Sequence, residues 1–147
     1  MTSINSGRVW RGAIAGGVAW TVWSTVIGML IAAPRYVKAQ QDGVFLAQPR
    51  YPFFIGAWIV CLFALSYACA WLYAHVRRSA GAGPGTAACV GAWVGFAAGF
   101  PGNFAQSAWL NADRMLPLAW MLDLWGGAIL ATLVAGWLYR DAEAPAP

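Results

Sequence analysis

The chain of 147 residues is 61% hydrophobic and only 10% charged, and its formal net charge is +4. Because an ordinary soluble domain carries about 25% charged residues, this composition excludes one, and the length excludes two domains of the usual size. We attribute the net positive charge to attraction by lipid headgroups and to membrane topology, and not to binding of nucleic acid.

Four stretches with at most one charged residue are long enough to cross a lipid bilayer, whose core of about 30 Å requires roughly 20 helical residues. The sequence therefore predicts an all-α integral membrane protein, a single domain over 1–147 that forms an antiparallel bundle of four transmembrane helices. The expected spans cover about 12–33, 52–75, 86–108 and 116–139.

The first span is interpreted as a retained helix and not as a secretory signal. It is about twice the usual length of a signal's apolar region, and Pro34 directly follows Ala33, the plausible small-residue cleavage site. We therefore expect this segment to remain in the lipid bilayer, which is the first predicted partner of the protein.

The distribution of lysine and arginine predicts the orientation, because short cytoplasmic loops are rich in these residues. With four spans, one side carries five such residues, Arg8, Arg11, Arg77, Arg78 and Arg140, and the other carries four, Arg35, Lys38, Arg50 and Arg114. This small majority predicts a multi-pass protein of the bacterial inner (cytoplasmic) membrane with both termini in the cytoplasm.

Small residues at helical spacing predict the faces on which the helices touch, since helices in lipid associate by close packing. The predicted packing glycines are Gly91, Gly95 and Gly99 in the third span, Gly17 and Gly28 in the first, and Gly127 in the fourth. The ladder in the third span has two interpretations, a dimer interface or packing within the chain. The second is favoured, because a four-helix chain can use such faces internally.

Asp123 is the one charged residue inside a predicted span, where a carboxylate costs roughly 2.5–3.5 kcal/mol and suggests a functional site. It shares a helix face with Gly127 and therefore points into the bundle. The end of the third span offers polar neighbours, Asn103, Gln106, Ser107 and Asn111. Two hypotheses follow: a pocket in which Asp123 binds a proton, a cation or a polar ligand, or a hydrogen bond from Asn103 or Gln106 that fastens two helices.

Other candidate chemistry is sparse. His75 has no second histidine with which to hold a metal or haem, and no pair among Cys61, Cys69 and Cys89 has the spacing of a redox motif. The sequence contains no nucleophile elbow, no phosphate-binding loop and no paired carboxylates. We therefore expect no catalytic residue, no metal site, no cofactor and no enzymatic activity.

The loop from Pro34 to Pro52 contains the tripeptide Pro-Arg-Tyr twice, beginning at Pro34 and at Pro49. Proline marks a helix boundary, arginine can reach a phosphate headgroup, and tyrosine prefers the membrane interface. The repeat therefore predicts a loop anchored at the membrane surface, with a partner-binding loop as the alternative.

Several of these features resemble a broad set of uncharacterised small bacterial membrane proteins with four transmembrane helices. They are Tyr73 with Arg77 and Arg78, the turn from Gly83 to Ala87, Asp123 early in the fourth span, and the exit from Trp137 to Arg140. The resemblance covers about half of the chain and implies the four-span fold but no activity.

The leading functional hypothesis is a non-catalytic accessory or scaffold subunit that packs against other membrane protein subunits or against itself. The alternative is a binder or transporter of a small molecule or ion that uses Asp123 with Asn103, Gln106 and Ser107. A weaker alternative is a binder of a pigment, quinone or haem through His75 and the deep tryptophans, Trp23, Trp58 and Trp93.

Overall fold

A computed structural model describes residues 4–141, and within this range the chain is helical without β-strands. The elements are α1 (Ser6–Ile27), a π-helical turn (Gly28–Ala32), α2 (Ala33–Gln41), α3 (Phe54–Ala80), α4 (Pro84–Trp109) and α5 (Met115–Leu138). Because α1, the π-helical turn and α2 run on as one helix, Ser6–Gln41, the described residues form four helices. The predicted all-α class is confirmed.

Three of these helices, Ser6–Gln41, Phe54–Ala80 and Met115–Leu138, are long and apolar enough to cross a membrane. Their apolar surface faces outward as well as inward: on α1 the side chains of Trp10, Ile14, Val18 and Val22 are all more than half exposed. Residues spaced by four lie on one face of a helix, so this face is suited to lipid. The three apolar helices indicate a membrane protein.

The first helix does not end at Pro34 as the sequence predicts but continues to Gln41. Proline lacks a backbone N–H and disrupts the hydrogen bonds of an ordinary helix interior. Here Pro34 lies in the first turn of α2, directly after the π-helical turn Gly28–Ala32. The change of hydrogen-bond pattern in that turn accommodates the proline, since a π-bulge already interrupts the regular ladder.

The first Pro-Arg-Tyr copy therefore belongs to a helix and bonds within the protein. Arg35 Nη1 donates to the carbonyl oxygen of Ile31 at 2.6 Å, and its Nε lies 3.3 Å from a carboxylate oxygen of Asp113. The hydroxyl of Tyr36 accepts a hydrogen bond of 2.8 Å from the indole of Trp120. These contacts tie α2 to the segment that enters α5, instead of directing the side chains to headgroups.

The α5 helix is the centre of the packing, because α1, α3 and α4 all contact it. The glycine ladder of α4 lies on α5: an added Cβ would stand 2.7 Å from the carbonyl oxygen of Ala128 at Gly91 and 2.7 Å from the Cα of Trp125 at Gly95. At Gly99 it would stand 3.1 Å from the Cβ of Leu124. The ladder is thus used inside the chain, where it brings two helix backbones together.

The α1 helix approaches α5 and α3 in the same way. A Cβ on Gly16 would lie 2.7 Å from both the carbonyl oxygen of Ala131 and the hydroxyl of Ser66, and Ser66 itself donates to the carbonyl oxygen of Ala13 at 2.8 Å. Gly17 lies beneath the ring of Phe63 on α3. These glycines fix how closely α1 packs.

At the end of the bundle where the described chain begins and ends, Arg77 joins α3 to the exit from α5. Its guanidinium lies 4.9 Å from the ring centroid of Tyr139, and Nη2 lies 3.1 Å from a carboxylate oxygen of Asp141. The hydroxyl of Tyr139 accepts from the backbone N–H of Asn5 at 3.1 Å. This end of the molecule is therefore closed by polar contacts between its segments.

We expect Gly95→Ala to destabilise the protein, because its methyl group would overlap the backbone of α5. Overpacking of this kind costs about 1–3 kcal/mol, so the midpoint of thermal unfolding in a fixed detergent should fall by several degrees. Gly102→Ala is the matched control in the same helix, since no described atom lies within 4 Å of its added Cβ. There the higher helix propensity of alanine should leave the midpoint unchanged or raise it, and a similar fall in both variants would contradict the packing role.

Candidate ligand-binding cavity

A cavity of about 520 Å³ lies at the opposite end of the molecule from Arg77, among residues of α1, α2, α3, α4 and α5. Its walls are largely apolar, with polar groups from Ser24, Asn103, Gln106 and Asp123. Exposed residues such as Phe54 and Gln106 also line it, so the cavity is open to its surroundings. A mostly apolar recess of this size with a few converging polar groups is typical of a small-molecule site.

Asp123 is the charged group of this cavity and is only 7% exposed. Its Oδ2 accepts a hydrogen bond of 2.8 Å from the Ser24 hydroxyl of α1. Its Oδ1 is buried and has no hydrogen-bond partner among the described residues. The carboxylate is therefore only partly satisfied, although a buried charge requires pairing or several hydrogen bonds.

Trp20 explains how the second carboxylate oxygen is enclosed. Its side chain is fully buried and packs over Gly127, one turn beyond Asp123, where any Cβ would overlap the indole. The indole interacts with the carboxyl group of Asp123, but its Nε1 also forms no hydrogen bond with a described residue. Trp20 thus places a polar edge beside the carboxylate, and the oxygen that it encloses is not accessible from the cavity.

Gly28, predicted as a packing residue, instead provides space. No described atom lies within 4 Å of an added Cβ at this position, and Gly28 lines the cavity. It stands one helical turn after Ser24, at the start of the π-helical turn. Its lack of a side chain therefore enlarges the cavity beside the Ser24–Asp123 bond.

The aromatic part of the wall is fixed by contacts around Trp120. Trp120 and Tyr36, which are joined by a hydrogen bond, both line the cavity. Phe45, from the loop after α2, stacks on Trp120 with ring centroids 6.4 Å apart. On α3, Trp58 also lines the cavity and packs with Phe54.

The structure brings together three of the four residues predicted for a ligand site, since Asp123, Asn103 and Gln106 all line the cavity. Ser107 is not among the lining residues that the described chain contributes. The alternative hydrogen bond from Asn103 or Gln106 to Asp123 is not formed: Asp123 is bound by Ser24, and Asn103 Nδ2 donates to Gly99 of its own helix at 2.7 Å. Asn103 lies one helical turn beyond Gly99, where α4 contacts α5. The carboxylate of Asp123 is bonded by Ser24 of α1 and not by α4.

The sequence interpretation did not name Ser24, Trp20, Tyr36 or Trp120 as parts of this site. Ser24 carried a usable signal, because a hydroxyl at the spacing of Gly17 and Gly28 is expected to face another helix. The tryptophans carried none, since their spacing does not distinguish a buried ring from an interfacial one.

The residues considered for haem, redox or pigment chemistry are not gathered in the described part of the chain. The ring of His75 packs against Trp71 with centroids 4.0 Å apart and the planes tilted by 44°, and Nδ1 donates to the carbonyl oxygen of Trp71 at 2.8 Å. Trp93 is 71% exposed, and Trp23 packs on Gly126 and donates to the carbonyl oxygen of Leu122 at 3.2 Å. Within residues 4–141 no group of three histidine, cysteine, aspartate or glutamate side chains is placed to hold a metal ion.

Comparison with protein-family models, with curated proteins and with solved structures finds no match to this chain. The resemblance to small four-span bacterial membrane proteins stays a prediction.

We expect Ser24→Ala to lower stability more than its neighbour Thr25→Ala. The first change removes the hydrogen bond on Asp123, and bonds to charged groups contribute about 1.5–3 kcal/mol. Thr25 is exposed and donates only to the carbonyl oxygen of Thr21 on its own helix, so its loss should change stability by less than about 0.5 kcal/mol. Thermal unfolding of both variants in the same detergent measures the difference, and equal midpoints would show that the Ser24–Asp123 bond does not contribute to stability.

Proposed function

We propose that the protein is a non-catalytic integral membrane protein that binds a small molecule in the cavity beside Asp123. The observation that supports this proposal is a nearly buried carboxylate, Asp123, on the wall of a cavity of about 520 Å³. It receives a hydrogen bond from Ser24 and contacts the indole of Trp20, but no basic side chain lines the cavity with it. Because a buried charge requires pairing, a ligand that brings a complementary group to the cavity side of the carboxylate would bind there with a gain in free energy.

We further propose that the four helices form an antiparallel transmembrane bundle, with α4 as the span that hydropathy alone does not reveal. The 26 residues of α4 correspond to about 39 Å of helix. Gly91, Gly95 and Gly99 lower its hydropathy but face α5. On its outer surface, Trp93, Phe96, Phe104 and Trp109 are exposed. An apolar outer surface around a small-residue inner face suits a helix between lipid and protein.

In this arrangement the protein resides in a bacterial inner membrane with both termini in the cytoplasm, and the cavity lies in the outer half of the membrane. Five basic residues on the side of the termini against four on the other side support this orientation. A ligand would then reach Asp123 from the external solution or from the outer leaflet.

The hypothesis of an accessory or scaffold subunit stays a prediction with less support. Its main motivation was the set of small-residue faces, and the faces at Gly16, Gly91 and Gly95 are covered by helices of the same chain. Association with other subunits or with itself would then use the exposed apolar surface.

We expect Gly28→Leu to remove the bound molecule. Because no described atom lies within 4 Å of an added Cβ at Gly28 and this residue lines the cavity, a leucine side chain would occupy space that the ligand needs. The experiment is native mass spectrometry of the full chain extracted from its membrane in a mild detergent. The wild-type protein should retain a small-molecule adduct, and the Gly28→Leu protein should lose it.

Gly56→Leu on α3 is the matched control, because its added Cβ also has no described neighbour within 4 Å and Gly56 does not line the cavity. This variant should keep the adduct. An unliganded wild-type protein, or the same adduct in all three proteins, would contradict binding in the cavity. Co-purifying protein subunits that persist in both variants would instead favour the accessory-subunit hypothesis.

A further inference from the structure

We infer that the ligand is an organic cation, an ammonium group attached to an apolar body of aromatic or alkyl character. This inference rests on the proposed binding function and names the chemical class that the cavity would select. Three properties of the cavity support it: the net charge of the wall, the hydrogen-bonding groups near Asp123 and the shape of the apolar part.

The charge of the wall is the first element. Among the residues that line the cavity, Asp123 is the one carboxylic acid, and none is lysine, arginine or histidine. The nearby basic residue Arg35 is already paired with Asp113. An ionised carboxylate in this wall therefore lacks a protein countercharge, and electrostatic complementarity favours a cation over a neutral or anionic ligand.

The hydrogen-bonding groups point to an ammonium group. Ser24 occupies one oxygen of Asp123 as a donor, and an ammonium group has several N–H donors with which to bind the carboxylate and further acceptors. Asn103 uses its amide nitrogen on the carbonyl oxygen of Gly99, so its amide oxygen is the group suited to face a ligand. Gln106 adds a second amide on the same wall.

The apolar part of the cavity favours a ligand that carries an apolar group beside its charged end. Rings from Tyr36, Phe54, Trp58 and Trp120 line the space, and aromatic faces attract both cations and apolar groups. A volume of about 520 Å³ suits a molecule of many heavy atoms. A bare divalent ion would leave most of this space unused and would find a single carboxylate where calcium takes six to eight oxygen ligands.

Three test compounds with the same body separate the charge from the shape: 4-phenylbutylamine, 4-phenylbutanol and 4-phenylbutyrate. Their binding to the full chain in phosphatidylcholine nanodiscs at pH 7 is measured by isothermal titration calorimetry, with empty nanodiscs subtracted. We expect the wild-type protein to bind the amine at least about tenfold more tightly than the alcohol, as one additional charged hydrogen bond provides, and to bind the carboxylate least.

Asp123→Asn should weaken amine binding by about tenfold or more and leave alcohol binding unchanged. Asp42→Asn is the control, because Asp42 is an exposed acid at the same end of the molecule that does not line this cavity. It should keep the wild-type preference. Ser24→Ala retains the carboxylate and removes its internal donor, so it should keep or increase the preference for the amine, and it tests the inference even where Asp123→Asn fails to fold.

Equal affinities of the wild-type protein for amine and alcohol, or an unchanged amine affinity in Asp123→Asn, would overturn the inference of a cation. Gly28→Leu distinguishes this outcome from failure of the binding function itself. If it weakens binding of the amine and the alcohol alike, the cavity binds small molecules and only the chemical class is wrong. If it weakens neither compound, their binding lies outside the cavity and both proposals fail.

Discussion

The close approach of two helices to α5 is the constraint on which the rest of the structure depends. Gly91 and Gly95 bring α4 onto one side of α5, and Gly16 brings α1 onto another. Each helix is fixed to α5, and within residues 4–141 no Cα atom of α1 lies within 8 Å of a Cα atom of α4. The space between them is left at the end where Gly28, Ala98 and Gly102 supply little side-chain volume. Close packing in one place thus produces a cavity in another.

The same arrangement decides the surroundings of Asp123. Because α1 lies against α5, the carboxylate meets Ser24 and the indole of Trp20, while α4 contributes amides across an open space. A carboxylate with a full set of protein partners would fasten helices and nothing more. The hydrogen bond from Ser24 keeps the group in position, and the part of Asp123 that lines the cavity is left to interact with another molecule. Incomplete pairing of a buried charge lowers stability, as is common where a binding site and a packed core compete.

The sequence predicts well where the helices lie but less well which helices pack against one another. Uncharged stretches reveal the apolar helices because lipid demands a minimum length, and the spacing of Gly91, Gly95 and Gly99 reveals a packing face. Such a face does not identify the helix that will cover it. This is why the Ser24 bond to Asp123 was not predicted, although Asp123 was expected to point into the bundle and Ser24 has the spacing of Gly17 and Gly28. Gly28 has the same spacing signal as Gly17, yet it borders empty space. Distinguishing these cases requires the relative position of three helices.

The π-helical turn that lets the first helix continue past Pro34 also shapes the cavity. In a regular α-helix, residues spaced by four drift by about 40° per step, so Tyr36 would turn away from the face that carries Ser24. A turn with bonds from i to i+5 is wider, and it offsets this drift between Gly28 and Ala32. Ser24, Gly28, Ala32 and Tyr36 consequently all line the cavity. The irregular turn that accommodates Pro34 therefore also places the Tyr36 hydroxyl within reach of Trp120 and extends the wall beyond the carboxylate, consistent with the frequent occurrence of π-bulges at functional sites.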